Sequence, residues 1–180
     1  VGLTLSGGAA DVGGGICNES GTLTLTGCIV SGNAATGENS AGGGIYNSLG
    51  TLTLLDSEVS DNTAAGNNAA GGGIYTFLGT MTLESSTVSD NMASGRKCKG
   101  GGGIYNDSGT LNLANSIISK NLSRNTEDWA WAHGGGISTL FGTVTLTNSR
   151  VSENESHGDW SSGGGIYHEY GTVALRNSTV

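Results

Sequence analysis

Proline is absent from this chain of 180 residues, and a collagen triple helix is excluded with it. Basic residues are scarce. Seven Lys and Arg stand against 15 Asp and Glu, a formal net charge of −8, so the clustered cations that hold a phosphate backbone or an anionic membrane surface are missing. Nucleic acid is therefore not an expected partner. No apolar run approaches the roughly 18 residues that span a bilayer, and no membrane span is expected. The chain opens with neither methionine nor a charged-then-apolar signal segment, so it reads as a processed or excised piece. Three cysteines, Cys17, Cys28 and Cys98, are too few for a disulfide framework.

Glycine is what the chain has in excess, 34 residues spread along its whole length. Each one inside a helix costs about 1 kcal/mol relative to alanine, so long helices are not expected. The apolar content of 35 % is low for a compact globule, yet branched residues return too regularly for a disordered linker. That regularity is an internal repeat. Gly-Gly-Gly-Ile occurs six times, with its isoleucine at Ile16, Ile45, Ile74, Ile104, Ile137 and Ile166, at intervals of 29, 29, 30, 33 and 29 residues. A Gly-Thr pair follows five residues later, then alternating apolar positions such as Leu52 and Leu54, then Val or Ile, then asparagine. From isoleucine to asparagine the spacing is constant. All variation in length falls between that asparagine and the next glycine triplet.

Short period-two segments such as Ile45-Tyr46-Asn47 and Thr51-Leu52-Thr53-Leu54 cannot bury an apolar face alone, but stacking the units in register places like over like. The expected fold is all-β. It is a right-handed parallel β-helix, or solenoid, of about six coils of 29 to 33 residues with three short strands per coil. Residues 1–180 read as a single solenoid domain, a segment of a longer array or a filament subunit. Inward Ile, Leu and Val form the core, and Ser57, Ser86, Ser116, Ser149 and Ser178 hold one fixed position, where Cys28 replaces serine in an earlier unit. Asn33, Asn62, Asn91, Asn121 and Asn154 are expected to form a structural amide ladder at a bend, each tolerating left-handed backbone.

Units reading Gly-Gly-Gly-Ile-Tyr-Asn, Ser-Gly-Thr-Leu-Thr-Leu and Asn-Ser-x-Val-Ser-x-Asn resemble the repeats of the polymorphic outer-membrane protein and autotransporter-adhesin group. The resemblance covers essentially the whole chain. It departs from that pattern in a third glycine and in Val or Ile where the group often has phenylalanine. It implies a solenoid fold, an extracellular or cell-surface location and a role in adhesion, with no catalytic residue or cofactor to carry over.

Function is then expected on the outside of the rod. Tyr46, Tyr75, Tyr105 and Tyr167 follow their isoleucines and are read as outward contact residues beside a nearly side-chain-free glycine strip. Thr-x-Thr pairs, such as Thr51 and Thr53, form two ranks that suit an ice lattice or simply the outer face of a sheet. The two last variable loops bring together Trp129, Trp131 and Trp160 with Asp128, Asp159, His133 and His157, a group suited to sugar rings, to a hydrophobic cap or to a subunit contact. Asp61 and Asp90 are weak attractors of calcium, though their spacing matches neither an EF-hand nor the nonapeptide calcium repeat. No cofactor is otherwise expected.

Neither end of the chain carries a polar capping unit, so the expectation is more repeats or end-to-end stacking into a filament. The leading expectation is a non-enzymatic, extracellular or cell-surface structural or adhesive protein. Its first expected partner is itself, and surface glycans or host proteins come next. The alternatives are a carbohydrate-binding or polysaccharide-processing solenoid using Trp129, Trp131 and Trp160 with Asp159, and an ice-binding Thr-x-Thr face.

Overall fold

The computed structural model describes residues 2–127 and 131–180. Its regular structure among these residues is strands and turns, with no helix. The coil that starts at Ile45 shows the plan: strands Ile45–Ser48, Thr51–Leu55, Glu58–Ser60 and Thr63–Ala65 follow one another around the axis. Each pairs in parallel with its copies on neighbouring coils, so four six-stranded sheets run along the rod. In chain order they are the Ile-Tyr, Thr, Val and Ala sheets. Register is strict: Ile16, Ile45, Ile74, Ile104, Ile137 and Ile166 are direct partners, as are Thr22, Thr51, Thr80, Thr110, Thr143 and Thr172.

The expected parallel solenoid is thus present, with one difference. The coils that start at Ile16, Ile45 and Ile74 each carry four strands where three were expected. The additional strand, for example Ala34–Ala35, Thr63–Ala65 or Met92–Gly95, starts directly after the ladder asparagine, inside the stretch read as variable loop. It is too short and too poor in large apolar residues to show a period in the sequence. Backbone pairing with its neighbours makes it a strand, and Ala64 and Ala93 bury their methyl groups completely beneath it.

Two separate cores result. Ile45, Leu52, Leu54, Val59 and their copies fill the large one, with Met81 standing in the leucine file. Burying each such side chain contributes roughly 1.5–3 kcal/mol. A small second core holds Ala64, Ala69, Ala93 and Cys98. Between the two, the glycine triplet crosses the coil against its own asparagine. Gly42 takes up φ = 61°, a Cβ on Gly43 would collide with the backbone of Thr63, and one on Gly44 would stand 2.9 Å from the side chain of Asn62. No other residue fits so close a backbone approach. Each coil is therefore pinched into two lobes, a large one from triplet to asparagine and a small one from asparagine to the next triplet.

The asparagines bond their copies as expected. Asn62 donates from its backbone N and its Nδ2 to Oδ1 of Asn91, both at 3.0 Å, and from Nδ2 to the carbonyl of Val30 at 2.9 Å. The same pattern repeats from Asn33 to Asn154. The left-handed backbone, however, lies one residue earlier than expected, at Gly32, Asp61, Asp90, Lys120 and Glu153. The asparagine itself stays extended so that its amide points inward. Serines form the second ladder: Ser57 N donates to Ser86 Oγ at 3.1 Å, while Ser57 Oγ donates to its own corner at Leu55 O, 2.8 Å away. Cys28 holds that position in the preceding coil, its N donating to Ser57 Oγ.

A third ladder is incomplete. Asn18 Nδ2 donates to Asn47 Oδ1 at 2.7 Å, and Asn106 Nδ2 donates to Thr139 Oγ1 at 3.2 Å, but Thr76 interrupts the file between them. Thr76 Oγ1 and Asn106 Oδ1 are buried without partners. Thr76→Asn should restore the missing rung and raise stability by about 1 kcal/mol, read by urea unfolding; a loss of stability would refute the assignment. The pinch predicts unequal tolerance of insertions. Four Gly-Ser residues placed between Asn67 and Asn68, in the small lobe, should cost no more than about 2 kcal/mol. A single residue inserted between Leu83 and Glu84 should abolish cooperative unfolding of the rod, because every later side chain of that lobe changes face.

Candidate functional site

The glycine triplets do not form an outer strip. Gly42–Gly44 and their copies at Gly71–Gly73, Gly101–Gly103 and Gly134–Gly136 are buried, and the room a side chain would need is taken by the chain's own backbone and the asparagine ladder. Beside them the tyrosines stack. Tyr46 and Tyr75 have ring centroids 5.3 Å apart and Tyr75 and Tyr105 5.5 Å apart, with interplanar angles of 2° and 0°. Tyr46 and Tyr75 are half-buried, but Tyr105 is only 4 % exposed and so is not available as an outer contact. Small-lobe residues such as Ala41, Ala70 and Lys99 line a recess together with Tyr46 and Tyr75. Burial, reinforced by the Asp107 carboxylate, pushes the phenols of Tyr75 and Tyr105 well above the ordinary tyrosine value.

Ser138 occupies the next position in this file, directly between Tyr105 and Tyr167, and brings no ring. The small lobe of the preceding coil compensates. It is the longest of the lobes, twelve residues from Leu122 to His133, and it ends in a strand, Trp131–His133, that pairs in parallel with Trp160–Ser162. The strand is anchored from both sides, by Asn125 Nδ2 donating to Trp131 O at 2.9 Å and by Ser156 Oγ donating to Ala132 O at 2.8 Å. Its geometry turns the imidazole of His133 onto the ring of Tyr167, with centroids 4.1 Å apart. Trp131 lies 5.8 Å from His133, and Trp160 lies 5.3 Å from Trp131 at a 42° tilt. The result is a continuous aromatic ridge, Trp160–Trp131–His133–Tyr167.

Trp131 and Trp160 are 55 % and 43 % exposed, so the expected meeting of loop tryptophans holds for this pair. Asp159 is exposed in the turn before Trp160. Trp129 and Asp128 lie outside the described residues. His157 pairs instead with Glu155, 2.9 Å away.

Next to the ridge is a recess of about 270 Å³ lined by Lys99, Tyr105, Asp107, His133, Ser138, Leu140, Tyr167 and Glu169. Its polar groups are of both kinds. Tyr167 donates its hydroxyl to Glu169 at 2.9 Å, Asp107 accepts from Ser108, and the ammonium of Lys99 makes no ion pair among the described residues. Nδ1 of His133 is buried without a partner.

A further exposed file was not singled out in the repeat. At the corner between the Ile-Tyr and Thr sheets, Leu49, Leu78, Phe141 and Tyr170 all adopt positive φ, between 50° and 57°. That conformation costs a side chain roughly 1–2 kcal/mol and is the ordinary place for glycine or asparagine. Burial does not compensate, since Phe141 is 60 % and Tyr170 63 % exposed, their rings stacked 5.0 Å apart. The sequence signal is a bulky apolar residue directly before Gly-Thr.

The Thr-x-Thr ranks lie on the outer face of the Thr sheet, with Asn112 and Ala174 interrupting the second rank. Cys17, Cys28 and Cys98 are free thiols. Among the described residues no group of three or more His, Cys, Asp and Glu side chains could hold a metal ion, and no helix is long and apolar enough to cross a membrane. No family model, no curated protein and no solved structure matches this chain.

Burial pulls the imidazole of His133 below the ordinary histidine value, while the Glu169 carboxylate pulls in the opposite direction. The unfolded chain therefore takes up this proton first as the pH falls, so the ridge stabilises the fold above the unfolded histidine value and loses that stability below it. Between about pH 7.5 and about pH 5.5, the wild type should lose more thermal stability than His133→Phe, which keeps a ring but cannot titrate. Identical losses in the two proteins would refute this role.

Proposed function

We propose that the chain is a rigid, non-enzymatic part of an extracellular or cell-surface protein, acting as an adhesive stalk through its outer flank. The observation that carries this reading is the exposure of large aromatic side chains on the outer flank. Phe141 and Tyr170 occupy left-handed corners that favour glycine, and Trp131 and Trp160 stand on a strand pair formed between two successive small lobes. Large, rigid rings gather contact area at low entropic cost. The resemblance of the repeats to the polymorphic outer-membrane and autotransporter-adhesin group supports the same location and role. Register pairing across four sheets makes the stalk stiff, so contacts on it are held at fixed heights.

Beads coated with the purified chain should adhere to cell surfaces or extracellular matrix, and the combined variant Trp131→Ala, Phe141→Asn, Trp160→Ala, Tyr170→Asn should lose most of that adhesion. Equal adhesion by the variant would overturn the flank as the contact surface. Release of new reducing ends or unsaturated products from a polysaccharide would overturn the non-enzymatic assignment.

A further inference from the structure

We propose that the ridge and its neighbouring recess form a binding site for a neutral oligosaccharide of equatorially substituted pyranose rings. This rests on the adhesive reading and names the ligand class of that flank. Trp131 and Trp160 are both exposed, their ring centroids 5.3 Å apart and their planes at 42°. That separation is close to the length of one sugar unit. Each indole can cover the C–H face of one pyranose while the tilt follows the twist of the chain. Beyond the tryptophans, His133 and Tyr167 lead into the recess without a break.

The lining of the recess fits hydroxyl groups better than it fits a second protein. Lys99 donates, and Asp107 and Glu169 accept. A hydroxyl both donates and accepts, so successive hydroxyls of one sugar can answer groups of both kinds. Leu140 and Tyr105 complete an apolar floor. One ammonium against two carboxylates leaves the recess acidic, and the molecule carries a net charge of −8, which disfavours uronic acids and sulfated glycans.

Isothermal titration of the whole chain with the β-1,4-linked hexamers of glucose and of N-acetylglucosamine tests this, with polygalacturonate as the anionic comparison. At least one neutral hexamer should bind. Trp131→Ala and Trp160→Ala should each weaken it at least about tenfold while the chain stays folded at the titration temperature, whereas Leu49→Asn, at a distant corner, should leave it unchanged. Three results would overturn the proposal: no binding of either neutral hexamer at millimolar concentration, affinity indifferent to both tryptophans, or tighter binding of polygalacturonate. If beads adhere through the flank and the neutral hexamers do not bind, the oligosaccharide assignment fails and the adhesive role stands. If neither occurs, both fail.

Discussion

Everything in this molecule depends on a close approach of backbone to amide. Where the third glycine of each triplet crosses the ladder asparagine, the chain touches itself and closes a lobe before the coil is complete. The contact is possible only because the glycine has no side chain and the asparagine satisfies several inward-facing backbone and amide groups at once. A buried polar group left without such a partner costs about 1–3 kcal/mol, so an amide serving three bonds per coil is not readily exchanged for an apolar residue of similar size. The hydrophobic files then follow. With the lobe closed at a fixed length, every isoleucine, leucine and valine falls on its copy.

This division explains how much of the fold could be read in the residues. The constant spacing from Ile45 to Asn62 is the contour of the large lobe, and its alternating pattern announces strands because one face meets a dry interior. The small lobe is closed separately and can lengthen without disturbing the rest, as it does before Ile137. Its strand, Thr63–Ala65 in one coil, escaped notice because pairing with neighbours, not side-chain pattern, creates it. The left-handed corners were misplaced by one residue for a related reason: Asp61, Lys120 and Glu153 share no residue type, so only the geometry shows that they share a conformation.

The candidate site was legible as a composition and not as an arrangement. Three tryptophans in two adjacent loops pointed to an aromatic cluster, and Trp131 and Trp160 do meet. What the residues could not show is that Ser138 leaves a place in the tyrosine file and that His133, from the longest small lobe, contributes a ring there. Loss of one ring and growth of one loop occur together in the same part of the rod. Alternation assigns Tyr105 outward, yet it is 4 % exposed, its ring stacked on Tyr75.

The interior ladders also share one sense. From Asn33 to Asn154, and from Cys28 to Ser178, every rung donates to the rung that follows it in the chain, and Asn18 does the same to Asn47. Each ladder amide also donates its Nδ2 to a carbonyl of the preceding coil, as Asn62 does to Val30, so every rung is tied to both of its neighbours. Chains of such bonds polarise one another and strengthen each rung. Within the stack each coil therefore presents its asparagine oxygen to the coil before it and its asparagine backbone N–H to the coil after it.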